Sequence, residues 1–151
     1  MDALAPFRVD GPKQEPTPLS YLLADSANGL DLTLEVTLQS ASMDKPQTIS
    51  RSNMKYLYWS MEQMLAHHTV TGCNMRTGDL CGTGTISGPT EDSYGSMLEL
   101  TWRGERPIAL PNNETRKFLQ DGDTVVMKGY CQGDGYRVGF GEVTGRILPV
   151  K

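Results

Sequence analysis

Residues 78–100, GDLCGTGTISGPTEDSYGSMLEL, hold the side chains best suited to chemistry. Thr83, Thr85 and Ser87 alternate there with Gly82, Gly84 and Gly88. A glycine-rich backbone lets a ligand approach main-chain N–H groups. Each hydroxyl adds a donor and an acceptor, so the run suits a carboxylate or an enolate. The plainer account is a hairpin or bulge made of turn residues. Glu99 falls in Met97-Leu98-Glu99-Leu100-Thr101-Trp102, whose alternation predicts a strand. Leu98, Leu100 and Trp102 take one face of it, and Glu99 the other with Met97 and Thr101; the plainer account of Glu99 is a solvent-facing residue on an amphipathic strand. His67-His68 are adjacent, so on a helix they point to different faces and do not chelate one ion easily. Packing or capping at a helix end is the expectation for them. Glu91-Asp92 reads as a solvated acidic pair on a turn. Cys73, Cys81 and Cys131 are odd in number and lack CxxC spacing, which argues against a disulfide framework and a zinc site. Each is expected to be a free thiol, buried or half-buried. Gly82-x-Gly84-x-x-x-Gly88 has one residue too many for a dinucleotide fingerprint and no helix follows it; neither GxxxxGK[ST] nor HExxH occurs.

The elements that position these residues follow from pattern. Residues 30–38, LDLTLEVTL, alternate with period two and predict a half-buried antiparallel strand. Asn28-Gly29 marks a turn before it, and Tyr21-Leu22-Leu23 is the candidate hairpin partner. Residues 40–47 predict a polar surface loop. Met54, Leu57, Tyr58, Met61, Met64 and Leu65 recur at three and four, predicting one helix with Ser52 as its cap, a core-facing apolar stripe and Gly72 as its stop. Residues 102–108 read as strand, tight turn, strand. Asn112-Asn113 is a turn, and Thr115 to Leu119 fits a short strand or a helical turn equally. Residues 124–130 predict a strand, Gln132-Gly133-Asp134-Gly135 a hairpin, and residues 136–140 and 142–148 a last strand pair. Gly139 and Gly141 inside it signal bulges. Pro6, Pro12, Pro16 and Pro18 make the first twenty residues a meandering arm. The start, Met1-Asp2-Ala3-Leu4, carries neither cap nor alternation and reads as entered mid-fold. Together these give roughly seven or eight short strands and one long helix, a mainly β architecture.

Composition narrows the function. The 151 residues make one domain or a piece of one, and a compact chain of that size buries about 68–70% of its extended surface. With 14 basic against 18 acidic residues the net charge is −4, and no basic stripe offers a nucleic-acid footprint. No apolar run approaches the ~20 residues of a membrane span, and no secretory leader is visible. A reducing, cytoplasmic setting is expected.

One set of motifs is far more specific than a glycine pattern. Pro-Lys-Gln at Pro12 to Gln14 comes first, then NMKYLYWSMEQMLAHHTVTGCN from Asn53, GDL from Gly78, GTISGP from Gly84 and GSMLEL from Gly95. TRKFL from Thr115, DGD from Asp121 and GYCQGDGYRVGFG from Gly129 follow. In this order they resemble the C-terminal portion of the fumarylacetoacetate hydrolase family, over essentially the whole chain. Thr77 departs from the resemblance, since proline is usual before this Gly-Asp; that should loosen the turn by less than ~1 kcal/mol.

The resemblance implies a mixed β-sandwich roll used as a homodimer. Residues 1–151 would be the C-terminal part of the catalytic domain, without its first part and without the small N-terminal β-barrel. It implies hydrolysis of the carbon–carbon bond of 4-fumarylacetoacetate to fumarate and acetoacetate, the last step of tyrosine and phenylalanine breakdown. A His/Glu pair would activate water, and Ca²⁺ or Mg²⁺ would bind the diketone oxygens of this small-molecule substrate. Thr85 falls on a substrate-contacting threonine. Glu99 falls on the glutamate that orients the catalytic histidine. That histidine, the metal ligands and the other substrate contacts fall upstream, and His67 and His68 match a different pair. The chain alone is therefore expected to be inactive, as a fragment or partial gene model of the hydrolase. Alternatives are a non-catalytic product that pairs with full-length subunits, or a sister activity such as acylpyruvate hydrolysis or oxaloacetate decarboxylation. GTISGP and GYCQGDGYR favour the fumarylacetoacetate-cleaving members.

Overall fold

The computed structural model describes residues 2–23 and 28–150. In chain order the strands are β1 (Arg8–Val9), β2 (Gly29–Leu30), β3 (Thr33–Gln39), β4 (Gln47–Asn53), β5 (Ile108–Ala109), β6 (Thr115–Arg116), β7 (Thr124–Gln132) and β8 (Arg137–Arg146). Two α-helices, α1 (Met61–Val70) and α2 (Met97–Leu100), join short 3₁₀ turns at Asp2–Phe7, Ser20–Leu22, Met54–Tyr56 and Glu91–Ser93. The main sheet is antiparallel with order β4-β3-β7-β8; β1 pairs with β2 and β5 with β6 in two small ribbons. The mainly β expectation holds.

The run 30–38, expected as one strand, is split: Leu30 ends β2 in the ribbon with β1, and residues 33–38 belong to β3 of the main sheet. Leu30 and Leu32 enter one core cluster with Phe7 and Cys131, and Leu38 enters another with Met43 and Leu110. The β3–β7 register sets Leu34 opposite Gly129 and Leu38 opposite Val125. The last two predicted strands are one strand, β8. Its pairing shifts between Lys128↔Glu142 and Tyr130↔Gly139, where one extra residue is absorbed beside Gly141 at φ 78°. The glycines therefore marked a bulge inside a strand rather than its end.

Several expectations are corrected. The N-terminal arm is pinned: Phe7 is buried, Asp31 N–H donates to the Phe7 carbonyl at 2.8 Å, and β1 takes the place beside β2 that sequence assigned to Tyr21-Leu22-Leu23. Those residues form a 3₁₀ turn instead. Ser40 and Met43 are buried, so residues 40–47 are not simply a surface loop. Helix α1 starts at Ser60, not Ser52. Gln63 N–H donates to Ser60 Oγ at 3.2 Å and Ser60 N–H to Gln63 Oε1 at 2.9 Å, a reciprocal cap. Ser52 lies in β4 opposite Leu34. The 3-and-4 spacing ran through Met54 and Leu57 by coincidence, because sheet pairing claims the chain as far as Asn53. Nor is the apolar stripe core: Leu65 is 49% exposed, and the buried residue of α1 is Gln63. Gln63 exchanges hydrogen bonds with Gln14 at 3.0 and 2.9 Å and donates to the Leu22 carbonyl at 2.8 Å.

Residues 102–108 are not strand-turn-strand. Trp102, Arg103 and Gly104 all take positive φ (50°, 60° and 87°) and curl into a left-handed turn. Fully buried Thr101 anchors it, accepting at its carbonyl from Gly104 and Arg106 N–H at 3.0 and 2.9 Å. The chain also buries less than expected. Its accessible surface is 10,497 Å², where a compact 16.6 kDa protein exposes about 7,600 Å². Against an extended chain of ~24,000 Å² that is about 56% buried, not 68–70%. The deficit has a place. The cross-strand partners Met127 and Val143 are 53% and 70% exposed, and β8 is bare along nearly all its length.

Two carboxyls make the stability acid-sensitive. Glu62 lies below the usual carboxylate range because a main-chain N–H bonds it and Arg8 assists. Glu114 is lowered chiefly by the Ser42 hydroxyl, with Arg116 adding to it. A lowered folded value means that the contribution is present above the unfolded value of about 4.3 and is lost as pH falls through the folded values. The urea midpoint is expected to fall between about pH 5 and pH 3, and Glu62→Gln with Glu114→Gln to flatten that fall. An unchanged slope in the double variant would contradict it.

Candidate functional site

Local forces, not sheet pairing, shape residues 84–101. Ser96 caps α2: Glu99 N–H donates to Ser96 Oγ at 3.3 Å. The expected strand is thus a helical turn, and Leu98 and Glu99 do not alternate across a sheet. The signal was present, because Ser96-x-x-Glu99 is a capping-box spacing. Upstream the chain doubles back. Gly88 N–H donates to the Ser93 carbonyl at 2.9 Å, Gly95 N–H to Ser87 Oγ at 3.0 Å, and Ser50 Oγ on β4 to the Tyr94 carbonyl at 2.7 Å. The fold-back explains two glycines of the motifs. A Cβ on Gly88 would lie 2.5 Å from Ser93 Oγ, and one on Gly95 2.6 Å from the Ile86 carbonyl oxygen. Gly95→Ala is therefore expected to destabilise by about 1–3 kcal/mol through a forced backbone shift. A urea midpoint equal to that of the parent would contradict it.

The fold-back and α2 enclose an open hollow of about 480 Å³, within the ~300–1,000 Å³ of small-molecule sites. Tyr56, Tyr58, Thr85, Ser87, Ser96 and Glu99 line it. Thr85 and Glu99, both singled out through the resemblance, lie on this one hollow. Thr85 is exposed, with its hydroxyl unpartnered among the described residues. Glu99 is half-buried and held: Ser87 Oγ donates to both carboxylate oxygens at 2.8 and 2.9 Å, and Ser96 Oγ to Oε2 at 2.8 Å. A carboxylate with fixed orientation beside an unpaired hydroxyl can bind a donor and position it against a polar substrate.

The remaining candidates lie elsewhere. His67 Nδ1 is 3.1 Å from the Tyr21 hydroxyl, with the rings stacked, and neither His67 nor His68 lines the hollow. Cys73 and Cys81 are exposed, against the expectation, while Cys131 is fully buried; all three are free. Exposure follows from their place in loops without core contacts. Burial pushes the Cys131 thiol up, so it is no ready nucleophile. Among the described residues no group of three or more His, Cys, Asp or Glu is placed to hold the Ca²⁺ or Mg²⁺ that the resemblance implies. Among the described residues no helix is long and apolar enough to cross a membrane. Sequence reasoning missed a buried ion pair, Arg116–Asp123, whose partners lie seven residues apart on β6 and a turn.

Comparison with known proteins adds the family. The model described as fumarylacetoacetate (FAA) hydrolase C-terminal matches residues 6–148. The human protein named fumarylacetoacetase is 56% identical over 149 residues, covering 99% of this chain and 36% of that protein. Its Dictyostelium discoideum counterpart is 55% identical over 151 residues (99% and 35%), and the Arabidopsis thaliana one 54% over 149 residues (99% and 35%). The chain thus spans about a third of the length of the curated relatives it matches.

Proposed function

We propose, since this chain belongs to the fumarylacetoacetate (FAA) hydrolase family, that it forms one wall of a hydrolytic site for 4-fumarylacetoacetate. One observation carries the reading: Thr85 and a firmly held Glu99 face a single hollow of small-molecule size. In the proposed reaction a water adds to the fumaroyl carbonyl and the adjacent carbon–carbon bond breaks. The electron pair leaves on the acetoacetate carbon, which takes up a proton; the products are fumarate and acetoacetate.

Each residue has a distinct part. Thr85 donates or accepts a hydrogen bond at a substrate oxygen. Glu99 accepts from the imidazole of a histidine, holds the ring in one orientation and stabilises its cation as it takes the proton from water. Neither His67 nor His68 reaches the hollow, so that base comes from outside these 151 residues. The metal finds no ligand cluster among the described residues, and no step here is assigned to it. A homodimer and a cytoplasmic setting belong to the same proposal; three free thiols suit the latter.

The test places this chain in the human relative, in exchange for the matching third, and follows fumarylacetoacetate consumption with Mg²⁺ or Ca²⁺. Turnover is expected from the exchanged protein and not from the chain alone. Faster turnover of an acylpyruvate would replace the reading with the sister activity. A second reading rests on the exposed surface, with Met127 and Val143 bare on the sheet: a non-catalytic chain that pairs with full-length subunits. Co-purification with intact enzyme would support it, and a stable monomer would count against it.

A further inference from the structure

The grip on Glu99 is unusually complete for an open site. Ser87 has one hydroxyl proton, shared between Glu99 Oε1 and Oε2 at 2.8 and 2.9 Å. Its oxygen accepts from Gly95 N–H at 3.0 Å, so the backbone of the fold-back sets the direction of that proton. Ser96 repeats the arrangement from the other side. It accepts from Glu99 N–H at 3.3 Å and donates to Oε2 at 2.8 Å. Each hydroxyl is thus oriented by a main-chain N–H before it meets the carboxylate. Chains of this kind polarise one another, because an oxygen that accepts becomes a better donor.

The bookkeeping is uneven between the two oxygens. A carboxylate oxygen has about two acceptor positions. Oε2 receives both Ser87 and Ser96, whereas Oε1 receives Ser87 alone. We propose that Ser87, backed by Ser96, is a positioning residue that locks the Glu99 side chain in one rotamer, with its carboxyl group held on both serines, and leaves Oε1 as the oxygen with acceptor capacity to spare for the histidine. The inference rests on the reading of Glu99 as the histidine's partner. It adds which residues fix that glutamate and which oxygen it offers. It also gives the serine of GTISGP and that of GSMLEL one shared task, since they meet on the same carboxyl group across the fold-back.

The test is made on the 151-residue chain, without substrate. Side-chain scalar couplings of Glu99, read by NMR with ¹³C-labelled glutamate, report its χ1 and χ2 populations. The parent chain is expected to show one rotamer. Ser87→Ala is expected to lose it, giving a mixture of staggered wells, and Ser87→Thr to restore it by returning the hydroxyl. Ser96→Gly keeps most of the helix cap, since glycine is tolerated well at that position, yet removes the second donor; it should broaden the distribution partially. That variant decides the matter should Ser87→Ala fail to fold. Single-rotamer couplings in every folded serine variant would overturn the proposal. The result is independent of turnover, so a hydrolase reading that fails in the exchanged protein removes the histidine's use of Oε1 but leaves the serine lock standing, and unaltered couplings overturn the lock but leave the hydrolase reading standing.

Discussion

Asp123→Ala is expected to cost about 3–5 kcal/mol, the range for removing one partner of a buried ion pair. Asp123 is fully buried and the Arg116 side chain is 8% exposed. The carboxylate accepts from Arg116 Nε at 2.9 Å and Nη2 at 3.0 Å, and from the Gln120 N–H at 2.9 Å. This two-pronged geometry raises the Arg116 pKa, with the Asp123 hydrogen bonds as the main cause. Glu114 then holds Nη2 at 2.8 Å, and its carboxylate also accepts from Ser42, so the group ties β6 to the loop after β3. Alanine at 123 leaves the guanidinium buried with Glu114 as its remaining carboxylate beside the Thr115 carbonyl, and strands the Gln120 N–H. In urea the midpoint should move by about 1–5 M, for a slope of about 1–3 kcal/mol per M. Replacing both partners with leucine should recover much of the loss, because no charge is then left unpaired. A midpoint shift below about 0.5 M for Asp123→Ala would contradict this account.

Glu99→Ala, made in the human relative carrying this chain, is expected to lower kcat by about 10²–10⁴-fold, the usual span for a general acid–base pair. KM should change little, because in the proposed reaction the carboxylate acts on the histidine and not on the substrate. Thr85→Val should do the opposite. Losing one neutral hydrogen bond of about 1 kcal/mol raises KM about fivefold and leaves kcat nearly intact. The separation is the informative part. Two residues of one hollow, 14 positions apart in sequence, should fail in different kinetic constants. A fall in kcat for both, or a rise in KM for both, would mean that the hollow is disturbed as a unit.

The fold was legible where one physical signal dominated. Period two named β3, because one face of the Leu30–Leu38 run is claimed by the core, and Gly133 to Gly135 marked the β7–β8 hairpin. It was illegible where two signals competed. Met54 and Leu57 kept helical spacing while β4 pairing owned the residues just before them. Residues 97–102 alternated like a strand, but no strand among the described residues pairs with them, and the Ser96 cap won. The left-handed turn at Trp102 and Arg103 had no local signature, since tertiary hydrogen bonds around buried Thr101 impose it.

The site was half legible. The motifs pointed to Thr85 and Glu99, and the hydroxyl of Ser87 was noticed. That Ser87 and Ser96 converge on one carboxylate depends on a fold-back that spacing alone does not encode. The Arg116–Asp123 pair escaped for a similar reason, because DGD reads as a turn and hides a buried acid at its last position.

The central claim is that Glu99, held over the Thr85 hollow, is the working carboxylate of a hydrolytic site. It is tested most directly by the fumarylacetoacetate turnover rate of the exchanged human relative, measured beside the same protein with Glu99→Ala. The account predicts turnover within about tenfold of the relative's own and a loss of at least about 100-fold on substitution. A folded exchanged protein that does not turn over, or one whose rate survives Glu99→Ala, would contradict it.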